Sequence, residues 1–89
     1  MSDNDMVKMY VVYDALAEKA SPPFFGDNDE VAVRQFRQLV EPLPPFARKD
    51  FKLFYIGEMD VKNVQIFSNV NGCEEIDTVR RVEAEVIHE

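Results

Sequence analysis

Apolar side chains recur with period two over residues 6–13, with helical period after Glu30, and with period two again over 51–60 and 64–68. In "MVKMYVVY" (6–13), Met9, Val11 and Tyr13 share one face of a predicted strand, and Lys8, Tyr10 and Val12 share the other. Apolar residues on both faces suit a central place in a sheet. Pro22 and Pro23 interrupt any regular ladder or helix interior. Their position leaves Phe24 and Phe25 in a loop.

Asp27 and Glu30 have the spacing of a capping box, and Asn28 is the competing cap. Beyond them Ala32, Phe36, Leu39 and Val40 form an apolar stripe with Val33 on its edge, while Arg34, Arg37, Gln38 and Glu41 point outward. Pro42 ends this helix near Glu41. "PLPPFARKD" follows as a stiff connector. In "FKLFYIGEMD" (51–60), Phe51, Leu53 and Tyr55 oppose Lys52, Phe54 and Ile56. "VQIFS" (64–68) pairs with that strand through a "DVKN" turn in which Asn63 suits a left-handed backbone.

Strand, helix, strand, strand in that order predicts an α+β fold: a small sheet of about three strands under one covering helix. Were the first two strands parallel, their crossover would be right-handed. The tail "EEIDTVRRVEAEVIHE" fits a helix through Ile76, Val79, Val82 and Val86, or a strand through Val82, Ala84 and Val86. A C-terminal helix is the preferred reading. The expected organisation is a single domain over 1–89, with residues 1–6 as a flexible end and 74–89 as an acidic C-terminal segment.

Composition sharpens this picture. The 89 residues are 46% hydrophobic and 30% charged, as in a folded domain near the lower size limit for a self-sufficient core. Apolar runs are too short to span a membrane, and the acidic opening "MSDND" is unlike a leader. Cys73 stands alone, which excludes an intrachain disulfide and a thiolate cluster and fits a reducing compartment. A net charge of −7 disfavours a general nucleic-acid coat. Yet between Val31 and Gly57, Arg34, Arg37, Arg48, Lys49 and Lys52 face only Glu41 and Asp50. Ion pairing along the helix, Glu30 with Arg34 and Arg37 with Glu41, is the ordinary explanation of part of this excess.

Candidate chemistry is sparse. His88 lies next to the terminus, Cys73 sits among acids that disfavour its thiolate, and no metalloprotease, phosphate-loop or dinucleotide motif occurs. Glu58 and Asp60 suit a solvated rim better than an acid/base or metal site. The expectation is a protein without catalytic residues, cofactor or metal. "FARKDFKLFY" interleaves aromatic and basic residues as single-strand binders do. The same alternation also arises from a strand packing on a helix. If nucleic acid is bound, the expected contacts are Arg34, Arg37, Phe46, Arg48, Lys49 and Lys52.

Four segments, "YVVYDALAEKA" (10–20), "PFFGDND" (23–29), "AVRQF" (32–36) and "DFKLFYIGEMD" (50–60), resemble in order and spacing the small nonstructural protein of gokushovirus-type Microviridae, the fifth viral protein of those single-stranded DNA phages. The likeness spans about residues 8–68. It departs from the family pattern at the "DVKN" turn, where relatives commonly carry glycine, and in the acidic tail. The resemblance implies a non-capsid accessory protein in the host bacterial cytoplasm. Its expected role lies in viral DNA replication or in the switch to single-stranded synthesis and packaging. The implied partner is single-stranded viral DNA or a phage or host replication protein, and no catalytic residues carry over. An acidic protein-interaction module without nucleic-acid contact is the alternative.

Adjacent side chains leave an extended backbone in opposite directions. One of Phe24 and Phe25 is therefore expected to staple the helix start near Val31 or Ala32, and the other to serve a partner or a second copy. One helix covers only one sheet face, which predicts a homo-oligomer, most simply a dimer, through a sheet face or edge.

Overall fold

The computed structural model describes residues 5–78. Its elements are β1 (Met6–Asp14), β2 (Lys19–Ala20), β3 (Phe24–Gly26), α1 (Asp29–Val40), α2 (Pro45–Arg48), β4 (Phe51–Asp60), β5 (Gln65–Ser68) and β6 (Glu74–Ile76). They form one antiparallel sheet in the order β2-β1-β4-β5, with β3 also on β1 and β6 also on β4. The α+β reading holds at the level of class, but the sheet has six strands rather than three.

β1 is central. It pairs with β4 along its whole length, from Met6↔Asp60 to Asp14↔Phe51. The first two long strands are thus antiparallel, so no crossover hand applies. Between Met9 and Tyr10 the register shifts: Met9 faces Gly57 and Tyr10 faces Tyr55, leaving Ile56 as the extra residue of a bulge. β1 also begins at Met6, inside the stretch expected as a flexible end.

The Phe24-Phe25 pair lies in a strand, not a loop. After β2 the chain needs three residues, Ser21, Pro22 and Pro23, to pass two residues of β1 before it pairs again. The prolines cannot donate to the ladder. Ser21 compensates at its end of the gap: its N–H donates to the Val12 carbonyl, and its hydroxyl accepts from the Val12 N–H at 2.9 Å. Phe24, opposite Tyr10, turns inward and stacks on that ring at 5.8 Å, while Phe25 turns outward and is 47% exposed.

Asn28, rather than Asp27, caps α1. Its backbone is extended (φ −156°), and its carboxamide oxygen accepts from the Val31 N–H at 2.9 Å. The buried stripe is Ala32, Val33, Phe36 and Val40. Leu39, expected within it, is exposed. At 100° per residue Leu39 sits beyond Ala32, on the side away from Val33, and the sheet meets the helix nearer Val33. These residues close on Tyr10, Val12 and Leu53, with Phe24, Leu43, Phe51, Tyr55 and Ile76 around them. The opposite sheet face carries Val11, Tyr13 and Phe54, with Tyr13 edge-on to Phe54.

Two further expectations change. In the β4–β5 turn the left-handed residue is Val64 (φ 56°), and Asn63 instead donates its side-chain amide to the Asp60 carboxylate. The start of the acidic tail is strand, because Leu53↔Ile76 and Tyr55↔Glu74 pair β6 with β4. The remainder of the expected C-terminal helix, from Val79 onward, lies outside the described residues, as does His88.

Candidate nucleic-acid interface

The connector after α1 folds back beneath the C-terminal end of that helix. Arg48 holds it there: Nε donates to the Leu43 carbonyl at 2.8 Å and Nη2 to the Glu41 carbonyl at 2.7 Å. This places a cation at the negative end of α1 and satisfies a carbonyl beyond the helix's own hydrogen-bond ladder. Arg48 therefore has a structural duty that its position in a basic run does not reveal.

The fold-back opens a groove of about 580 Å³ between α1, α2 and the start of β4. Phe36, Val40 and Phe51 supply its apolar surface, and Arg37, Arg48, Lys49 and Lys52 supply positive charge. Glu41, Glu75 and Thr78 complete it. Four of the six sequence-predicted contacts thus meet at one groove. Arg34 and Phe46 do not line it: Arg34 is exposed on α1 and Phe46 is exposed on α2. Glu75 and Thr78 were missed because only the β4–β6 pairing brings the tail beside Phe54, and a helical reading of the tail hides that pairing.

A second polar cluster lies at the other end of α1. The buried Tyr10 hydroxyl donates to Asp29 Oδ1 at 2.6 Å, and Lys8 Nζ approaches the same oxygen at 4.0 Å and lies 5.7 Å from the Tyr55 ring centroid. Burial, then the Glu58, Asp29 and Glu74 carboxylates, push the Tyr55 phenol upward. The cluster fastens the helix start to the sheet. Glu58 and Asp60 stand at the far end of β4, where Asp60 organises the turn. Its Oδ1 accepts from the Lys62 and Asn63 N–H groups, and the Asn63 amide is the main cause that lowers its carboxyl from 3.8. Cys73 is exposed and unpaired as a disulfide.

The architecture, one sheet with a helix on one face and a basic groove at that helix's end, can be set against known proteins. A family model described as phage ORF5 protein matches residues 7–80. The chain belongs to the phage ORF5 protein family. That span contains every described strand except the first residue of β1, together with both helices and the groove. It extends the resemblance noted in the sequence through β6 and the groove's Glu75 and Thr78. No curated protein and no solved structure matches the chain. Among the described residues, no helix is long and apolar enough to cross a membrane.

Proposed function

We propose that this phage ORF5-family protein is a non-enzymatic accessory factor of viral DNA replication or of the switch to single-stranded synthesis and packaging. It acts in the host bacterial cytoplasm by binding single-stranded viral DNA at the α1–α2–β4 groove. The observation that carries the reading is the convergence of Arg37, Lys49 and Lys52 on an apolar-floored groove in a chain of net charge −7. Local positive charge engages phosphates, and an adjacent aromatic such as the half-buried Phe51 offers a face to a base. Arg48 adds field but already serves two carbonyls.

The test is fluorescence anisotropy of a labelled single-stranded oligonucleotide with the full chain, titrated with salt. Affinity should fall as salt rises. The double variant Lys49→Ala/Lys52→Ala, which spares Arg48 and the fold, should lower the slope of log K against log salt by about 0.7 per lost phosphate contact. Absence of binding even at low ionic strength would transfer the groove to an acidic protein segment from a replication partner. Its cationic rim and apolar floor also suit that occupant.

A further inference from the structure

The β4–β5 hairpin and the loop after it present Val61, Val64, Ile66, Phe67 and Val70 to solvent, with Ile66 66%, Phe67 49% and Val70 94% exposed. Among the described residues, these flank an open sheet edge, since β5 ends the strand order. The Asn69 N–H donates to the Ile56 carbonyl. Backbone groups alternate along a strand, so those of Phe67 and Gln65 also face β4, and the N–H and C=O of Ile66 and Ser68 face outward. An exposed apolar edge is a template for another strand, and proteins that stay single usually blunt it with charge, proline or a bulge. β5 has neither charge nor proline, and residues 64–73 are a ten-residue run without a charged side chain.

We infer that β5 is a dimerisation edge, paired antiparallel with β5 of a second copy about a two-fold axis at Phe67. This goes beyond the DNA-binding reading and does not depend on it. In this register the outward groups of Ile66 exchange hydrogen bonds with those of Ser68 in the other copy, and the two Phe67 side chains meet as a non-hydrogen-bonded aromatic pair. The two-fold makes the contact self-complementary and closed. Charge selects the occupant. Two chains of net charge −7 repel, and they approach at least cost where neither carries charge. A nucleic acid or an oppositely charged protein gains nothing from a neutral edge. Gly57 presses β4 against this strand: at φ 154° a Cβ there would collide with the Phe67 carbonyl oxygen. Of the pair expected to offer a partner contact, Phe24 is spent inside the monomer, while Phe25 on β3 stays 47% exposed.

Sedimentation equilibrium of the full chain at micromolar concentration should give twice 10.3 kDa. Ile66→Lys, at an exposed position, should return the mass to 10.3 kDa with an unchanged far-ultraviolet circular dichroism spectrum. Amide exchange at Ile66 and Ser68 of the unmodified chain should accelerate on dilution, a readout that needs no variant. A wild-type mass of 10.3 kDa, a mass that climbs beyond two copies, or a dimer that survives Ile66→Lys but dissociates with Phe25→Glu would each overturn the edge.

Discussion

Leu53 and Ile66 are both aliphatic, both on antiparallel strands and thirteen residues apart, yet Leu53 is wholly buried and Ile66 is largely in water. The difference is the layer above them. Around Leu53, α1 brings Val33, Phe36 and Val40 onto the sheet, so Tyr10, Val12 and Leu53 leave water together. Around Ile66, β5 runs beside the far part of β4, past the bulge, as an arm of the sheet over which no described helix lies. A pleated apolar strand is thus only an invitation to burial. The helix decides which part of the sheet becomes core and which remains a surface.

The largest effect should come from breaking the body. Leu53→Ala leaves a cavity under α1 and should cost about 2–5 kcal/mol, read as a lower urea midpoint at unchanged m-value. Ile66→Ala, the matched change in the arm, should move the same midpoint by no more than about 0.5 kcal/mol. Equal losses at the two sites would refute the division into body and arm.

Next in size is Gly57→Ala at the junction. The left-handed backbone and the collision with Phe67 O should together cost about 1–3 kcal/mol, concentrated in the arm. Amide exchange should quicken at Phe67 and Asn69, whose N–H groups face β4, while Val12 and Leu53 stay protected. Uniform acceleration would mean that the arm and the body open as one unit.

Asn28→Ala removes the α1 cap and should destabilise the body by about 1 kcal/mol without touching the arm. Asp60 provides the smallest and most local effect. Its carboxyl is held below 3.8, so its contribution to the turn is complete above that value and is lost as pH falls through the depressed folded one. The Lys62 and Asn63 amide resonances should shift across that acidic range, while core resonances near Leu53 hold until global unfolding.

Much of this layout was legible in residue patterns. Period two gave β1, β4 and β5 nearly to their ends, and the cap-stripe-proline sequence gave α1. What escaped depends on partners distant in the chain. Phe24–Gly26 is a strand because Ser21 satisfies Val12 beside the proline gap, a tertiary substitution that local punctuation by two prolines conceals. Glu74–Ile76 is a strand because β4 offers it an edge beyond β5. Leu39 fell outside the core because the sheet selected the Val33 side of a wide stripe. The basic groove was half visible: its cations are close in sequence, but the duty of Arg48 and the presence of Glu75 and Thr78 follow from folding alone.

β1 stands at the start of the chain and at the centre of the sheet, and this has a consequence for synthesis. Its longest partner, β4, leaves the ribosome only after residues 51–60 have been made. Until then β2 and β3 can zip one edge of β1, while its other edge has no strand to meet. Contacts of such long sequence separation make closure of the sheet a late step. A nascent chain of this protein therefore carries an open strand edge until β4 has been made, and a pause before Phe51 is where it is most exposed to aggregation or to capture by a chaperone.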